Sequence, residues 1–326
     1  MTHTCLTLIG SVRSLRWIAV LIAATLLPAC SEDSEYKKVD LSERVELPHP
    51  NVPEREGKTM RVAVAAMISP KETLIFYREL IDYVASAIGY DVELVQRRTY
   101  GEVNRLLAEG RIDVAFICTG PFVSGSERSG FKAIATPVIR GRPFYESYLI
   151  VHRDSDVQSL ADLRGRNFAF TDPDSNTGAL VPRYWLKEMG ATPESYFRSF
   201  SYTYSHDNAI MAVAKKMVDG AAVDGHMWEY YQQRNAFFSS QTRVVKKSDP
   251  FGSPPVVVSD MVAPELKSAL VERMLSMHED PEGRRILSEL MIDRFTAPQK
   301  EWYLPVTQML ERLRLEEETD GAAQEP

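Results

Sequence analysis

From residue 60 onward, apolar and polar positions alternate between two periods. MRVAVAAMI (60–68) is a short β-branched and alanine-rich run, the pattern of a buried strand. TLIFYRELIDYVASAIG (73–89) repeats apolar residues at helical spacing and stops at a glycine. DVELVQR (91–97) alternates as a strand, YGEVNRLLAEG (100–110) reads as a helix closed by glycine, and RIDVAFIC (111–118) is again strand-like. This strand–helix–strand–helix–strand order predicts an α/β fold with a mostly parallel sheet and helices on its faces.

A similar order returns downstream. ESYLIVHR (146–153) and RNFAFTD (166–172) read as strands separated by a short helix, SLADLRG (159–165). DNAIMAVAKKMVDG (207–220), AAVDG (221–225) and MWEYYQQRN (227–235) follow as helix, strand and helix. RVVKKS (243–248) and PPVVVSD (254–260) are strands leading back to the first unit, and PELKSALVERMLSMHED (264–280) begins the closing helices. Two α/β units with crossings near 140–150 and 240–256 make a two-lobed clamshell. The expected first lobe is 59–145 plus 246–310 and the second 146–245. In open α/β sheets ligands lie beyond the C-terminal strand ends, which places a ligand between the lobes, where closure traps it.

The ends of the chain break this pattern. Arg13 and Arg16 precede WIAVLIAATLLPAC (17–30), the basic-then-apolar order of a secretory signal and too short for a membrane span. Leu27-Pro28-Ala29-Cys30 resembles a bacterial lipobox, so residues 1–29 are expected to be removed and Cys30 to carry lipid; an ordinary signal peptide cut nearby is the alternative. Residues 30–58 are polar and proline-containing, the composition of a tether. The acidic 311–326 segment is expected to be disordered. Of three cysteines only Cys118 would remain in the mature domain, which therefore holds no internal disulfide.

At 326 residues, 44% hydrophobic and 25% charged, the chain is large enough for two lobes without covalent staples. Its net charge of -7 argues against a nucleic-acid binder and leaves room for a locally positive anion site. The sequence holds no nucleophile elbow, HExxH, Walker loop or closely spaced metal ligands. His3, His49, His152, His206, His226 and His278 are scattered. Neither an enzyme, a metal site nor a cofactor is expected.

One stretch stands out chemically. TDPDSNTGALVPRYWL (171–186) places Asp172, Asp174, Ser175, Asn176, Thr177 and Gly178 before an apolar run. A helix needs one capping side chain, and the remaining hydrogen-bonding capacity suits a tetrahedral oxyanion at a helix start. Pro182 tolerates the first helical turn, which puts the start of the regular helix near Ala179. An over-furnished cap is the plainer alternative.

SPKETLIFYRELIDYVASAIGYDVEL, DVAFICTGPFV, SLADLRGRNFAF, DPDSNTGALVPRYWL and SHDNAIMAVAKKMVDGAAVD together resemble the phosphate/phosphite/phosphonate-binding proteins of ABC transporters, over about residues 60 to 300. The resemblance implies a periplasmic-binding-protein clamshell of type II character, monomeric, that hands a small oxyanion to an ABC permease. It implies ligand contacts from Ser175, Asn176 and Thr177, with Gly178 allowing close backbone approach, and from His206 and Tyr100. Thr119 and Cys118 end a cleft-facing strand, and Ser69 and Lys71 are weaker candidates by position.

Family members that take aminoalkylphosphonates place carboxylates where this chain has His226 and Pro254, with Asp224 and Asp249 close by. That departure favours phosphite, phosphate or a simple phosphonate. Some relatives sense arsenite through a cysteine and signal to a histidine kinase, which makes Cys118 the basis of a second, sensory expectation.

Overall fold

A computed structural model describes residues 58–65, 70–126 and 130–322. The chain opens with β1 (Lys58–Val64), α1 (Pro70–Ala87), β2 (Tyr90–Val95), α2 (Tyr100–Ala108), β3 (Val114–Phe116), α3 (Thr119–Ser126) and β4 (Phe131–Val138). It crosses through β5 (Phe144–Tyr145) into β6 (Ser147–His152) and β7 (Asn167–Phe170), then a π-helical turn (Asn176–Leu180) that runs into α4 (Val181–Glu188). β8 (Ser199–Tyr202), α5 (His206–Ala214), β9 (Gly220–Asp224), α6 (Gly225–Arg234) and β10 (Thr242–Lys247) complete this part. The return is β11 (Phe251–Gly252), followed by β12 (Val256–Ser259), α7 (Pro264–Ser276), α8 (Pro281–Glu289), β13 (Arg294–Thr296) and α9 (Leu304–Ala322).

Two sheets result, with strand orders β13-β4-β12-β3-β1-β2 and β10-β6-β9-β7-β8. β1, β2 and β3 are parallel, as are β7, β8 and β9. The other pairings are antiparallel: β12 with β3 and β4, β13 with β4, and β6 with β9 and β10. Both sheets are therefore mixed rather than mostly parallel, because chain entering a lobe through a crossing runs against the strands that helical crossovers had aligned. The crossings themselves form a two-stranded ribbon, Phe251 opposite Tyr145 and Gly252 opposite Phe144.

Burial follows the lobes. One apolar cluster surrounds the first sheet, with Val62, Val114 and Val257 at its centre. Two clusters cover the faces of the second sheet, where every residue of β6 and β9 is buried. The helical spacing of Val306, Met309, Leu310 and Leu313 packs α9 against this second lobe. With that face anchored, the good helix formers beyond it continue the helix to Ala322, where a disordered acidic tail was expected. The short helix expected at 159–165 is a 3-10 turn, Leu160–Leu163.

Candidate functional site

Strand ends in both lobes deliver helix starts to the region between the sheets. β2 leads to Tyr100, capped by a reciprocal pair in which Thr99 Oγ1 accepts the Glu102 amide at 3.3 Å and Glu102 Oε2 accepts the Thr99 amide at 3.0 Å. β3 leads to Thr119, β7 to Asn176, β8 to His206 and β9 to Gly225. Each start brings N–H groups that the helix cannot pair and a partial positive charge. Tyr100, Thr119, Asn176, Thr177 and His206 are at most 1% exposed.

The Asn176 turn divides its polar groups between folding and availability. Ser175 acts as the cap: its Oγ accepts the Gly178 amide at 3.1 Å, and its carbonyl accepts the amides of Ala179 and Leu180. The Thr177 carbonyl accepts Ser147 Oγ at 2.6 Å, and the Asn176 side-chain amide donates to Tyr145 Oη at 3.0 Å. A Cβ on Gly178 would lie 1.8 Å from Thr171 Oγ1, so glycine is required there by the neighbouring strand end. The regular helix begins at Val181, two residues later than expected, because the wide π turn inserts before it.

His206 is held in one tautomer. The Asp224 amide donates to His206 Nδ1 at 3.0 Å, so the ring proton belongs on Nε2. Burial depresses the imidazole pKa to about 3, keeping it neutral. Nε2–H is thus a donor, and it is buried without a partner among the described residues.

Asp224 caps α6, its Oδ1 accepting the amides of His226 and Met227 at 2.8 and 3.2 Å, and burial pushes its pKa up to about 7. From the first lobe, the Tyr100 amide donates across the cleft to Asp172 Oδ2 at 3.0 Å. Burial raises Asp172 to about 6. Burial also keeps the Tyr100 and Tyr145 hydroxyls protonated, since both pKa values lie well above the usual phenol value.

Cys118 is buried, with its Sγ 3.9 Å from Tyr145 Oη. Burial raises the thiol above its ordinary range despite the opposing hydrogen bonds from the amides of Gly120 and Asn176. Five buried polar atoms in this region, Tyr100 Oη, Thr171 Oγ1, Asn176 Oδ1, Thr177 Oγ1 and His206 Nε2, have no hydrogen-bond partner among the described residues. Buried polar groups are normally paired. Four of these five can donate a hydrogen, which is the complement of an oxyanion.

The sequence-named residues distribute unevenly. Tyr100, Cys118 and Asp224 lie within electrostatic reach of one another, the Asn176 amide, next to Thr177, donates to Cys118 Sγ, and His206 is bonded to Asp224. Ser175 and Gly178 shape the turn, and Thr119 Oγ1 donates to the Gly252 carbonyl of the hinge ribbon at 2.8 Å. Asp249 is exposed, and Ser69 lies outside the described residues. Tyr145, Thr171 and Asp172 were missed as site residues: Tyr145 is on a two-residue strand with no periodic signal, and Thr171 and Asp172 open the motif ahead of the Ser-Asn-Thr triplet to which the ligand contacts were assigned.

The sequence profile described as "ABC transporter, phosphonate, periplasmic substrate-binding protein" matches residues 62–303. The chain belongs to this family. It is similar to the phosphate-import protein PhnD of Mycolicibacterium smegmatis, 27% identical over 223 residues covering 64% of this chain and 68% of the relative. Its fold is similar to a binding-protein component of an ABC phosphonate transporter from Pseudomonas aeruginosa, with TM-score 0.74 and 23% identity over 78% of this chain and 86% of the other. It is also similar to PhnD1 of Prochlorococcus marinus in complex with methylphosphonate, with TM-score 0.72 and 16% identity over 79% and 98%. As a member of the phosphonate-binding family, the protein is a periplasmic solute receptor of two-lobed type II fold whose partners are a small ligand and a permease, and it is not an enzyme.

Proposed function

We propose that this receptor captures a small phosphorus oxyanion (phosphite, phosphate or a simple phosphonate) in the inter-lobe cleft and delivers it to an ABC importer while anchored to the membrane by lipid on Cys30. One observation carries the ligand class: near the Asn176 helix start, buried donors from both lobes have no partner among the described residues. Thr177 Oγ1–H, His206 Nε2–H and the turn's N–H groups would hold the anion from the second lobe, and Tyr100 Oη–H would meet it from the first. Contact with both lobes lets a ligand shift the open–closed equilibrium. A phosphate-import relative and a methylphosphonate complex of the same fold support the phosphorus chemistry.

Calorimetry with phosphate, phosphite and methylphosphonate tests this on the wild type and on a Ser175→Ala/Thr177→Ala double variant. The wild type is expected to bind at least one of these anions and the folded double variant none; equal affinity would refute the site. Radiolabelled palmitate incorporation, lost in Cys30→Ser, tests the anchor separately.

Cys118 favours a second reading. Its sulfur shares the Asn176 amide with the anion site and touches Tyr145, so a thiophilic ligand such as arsenite would register on the same closure and serve a membrane histidine kinase. Thermal stabilisation by arsenite alone, abolished in Cys118→Ser, would select this sensory role over transport.

A further inference from the structure

A second connection between the lobes shares no residue with the donor cluster. Arg140 Nη1, from the first lobe, meets Glu229 Oε2 of α6, in the second, at 2.8 Å. Each partner is oriented on its own side. The other oxygen of the carboxylate, Oε1, accepts the Tyr148 hydroxyl at 2.7 Å, and Lys247 Nζ donates to that hydroxyl at 2.8 Å. Tyr148 on β6 and Lys247 on β10 both belong to the second sheet. The Glu229 side chain is only 17% exposed, and a carboxylate so far withdrawn from water calls for a partner. Arg140 lies in a turn closed by reciprocal backbone bonds between Ile139 and Arg142, and Asp293, just before β13, accepts the Gly141 amide at 2.7 Å. Its backbone is left-handed, φ 51°, a region that glycine, asparagine and aspartate enter more readily than arginine. A long cation at such a position is explained by what it reaches, the carboxylate of the opposite lobe.

We infer that Arg140 and Glu229 form a ligand-independent latch that keeps a fraction of the receptor closed when no anion is bound. The inference rests on the two-lobed receptor fold and not on which anion fills the cleft. Because both side chains are already oriented, pairing sacrifices little rotamer freedom. A receptor whose binding-competent state is populated in advance loses less affinity to the closing step, so the latch strengthens every ligand by the same factor and favours none. Two other side chains cross between the lobes: Arg98 lies 4.7 Å from the Tyr204 ring centroid, and Arg234 donates to the Ser288 carbonyl at 3.0 Å. Neither of those contacts joins opposite charges.

Small-angle scattering of the ligand-free protein, followed by calorimetry, tests the latch on the wild type, Glu229→Gln and Arg140→Asn. Glutamine keeps an acceptor for Tyr148 and asparagine suits the left-handed backbone, so both variants are expected to fold, as circular dichroism would verify. Each is expected to show a larger ligand-free radius of gyration than the wild type at low salt. The wild type is expected to expand towards them at about 1 M salt, where the screening length falls to about 3 Å. Both variants are expected to weaken phosphate, phosphite and methylphosphonate by one common factor, roughly threefold to fivefold for a partly exposed ion pair. Low-salt radii equal to that of the wild type in both folded variants would overturn the latch. A loss of affinity confined to one anion would also overturn it, by making the pair a ligand contact. Failure of all three anions to bind the wild type would refute the proposed anion site, and the scattering comparison would still decide the latch.

Discussion

The carboxylate of Asp172, on the second lobe, accepts the backbone amide of Tyr100, on the first, at 3.0 Å. The same carboxylate takes the Asp174 amide on its other oxygen at 2.9 Å. One side chain thus shapes the loop that carries the donor turn and ties it to the opposite lobe. Asp172→Ala leaves two amides without an acceptor in the closed state, a cost of about 1–3 kcal/mol. Ligand affinity is expected to fall about tenfold or more, read by calorimetry, with each lobe still folded by circular dichroism.

Burial of this carboxylate, which outweighs the lowering by the Tyr100 and Asp174 amides, gives closure a pH dependence. In the closed molecule Asp172 titrates at about 6, whereas an exposed aspartate titrates near its ordinary value of about 3.9. The closed state holds more protons between these values, so acidification through this window favours closure and a rise in pH opposes it. Small-angle scattering of the ligand-free protein is expected to show a smaller radius of gyration at pH 4.5 than at pH 7, and Asp172→Asn to flatten the difference.

His206 acts in the opposite sense on stability. Its folded pKa is depressed from 6.5 to about 3, so the unfolded chain binds the extra proton between those values. The stability that depends on neutral His206 is present above pH 6.5 and is lost as pH falls through that window, at up to about 1.4 kcal/mol per pH unit. Chemical denaturation at pH 7 and pH 5 is expected to show a smaller acid loss for His206→Gln than for the wild type.

Two glycines separate folding from closure. A Cβ on Gly178 would collide with Thr171 within the second lobe, whereas one on Gly120 would lie 2.1 Å from the Asp174 carbonyl and 2.9 Å from the Asn176 amide. Gly178→Ala is expected to cost about 1–3 kcal/mol of stability through overpacking. Gly120→Ala is expected to wedge the α3 start away from the donor loop, with a larger loss of affinity than of melting temperature. Calorimetry beside thermal melts distinguishes the two patterns.

The alternation of periods made the α/β order and the strand-end helix starts legible in the sequence, and Asp-Pro-Asp-Ser-Asn-Thr-Gly marked the turn. The direction of β12 and β13 was not legible, because it depends on the sense in which the chain re-enters the first lobe. Tyr145 escaped notice for a related reason: its place is set by pairing with Phe251, 106 positions later in the chain. The role of Asp172 was not legible because its partner, the Tyr100 amide, is 72 positions away. Local patterns revealed which residues begin helices, while the pairing of lobes determined which of those starts face one another.

In the proposed site Thr177 Oγ1 and His206 Nε2 both donate to a bound phosphorus oxyanion. Isothermal titration of wild type, Thr177→Val and His206→Gln with phosphate, phosphite and methylphosphonate tests it most directly. Loss of a hydrogen bond to a charged group is worth about 1.5–3 kcal/mol, so each variant is expected to bind the preferred anion at least tenfold more weakly while keeping its fold. Unchanged affinity in both folded variants would contradict the claim.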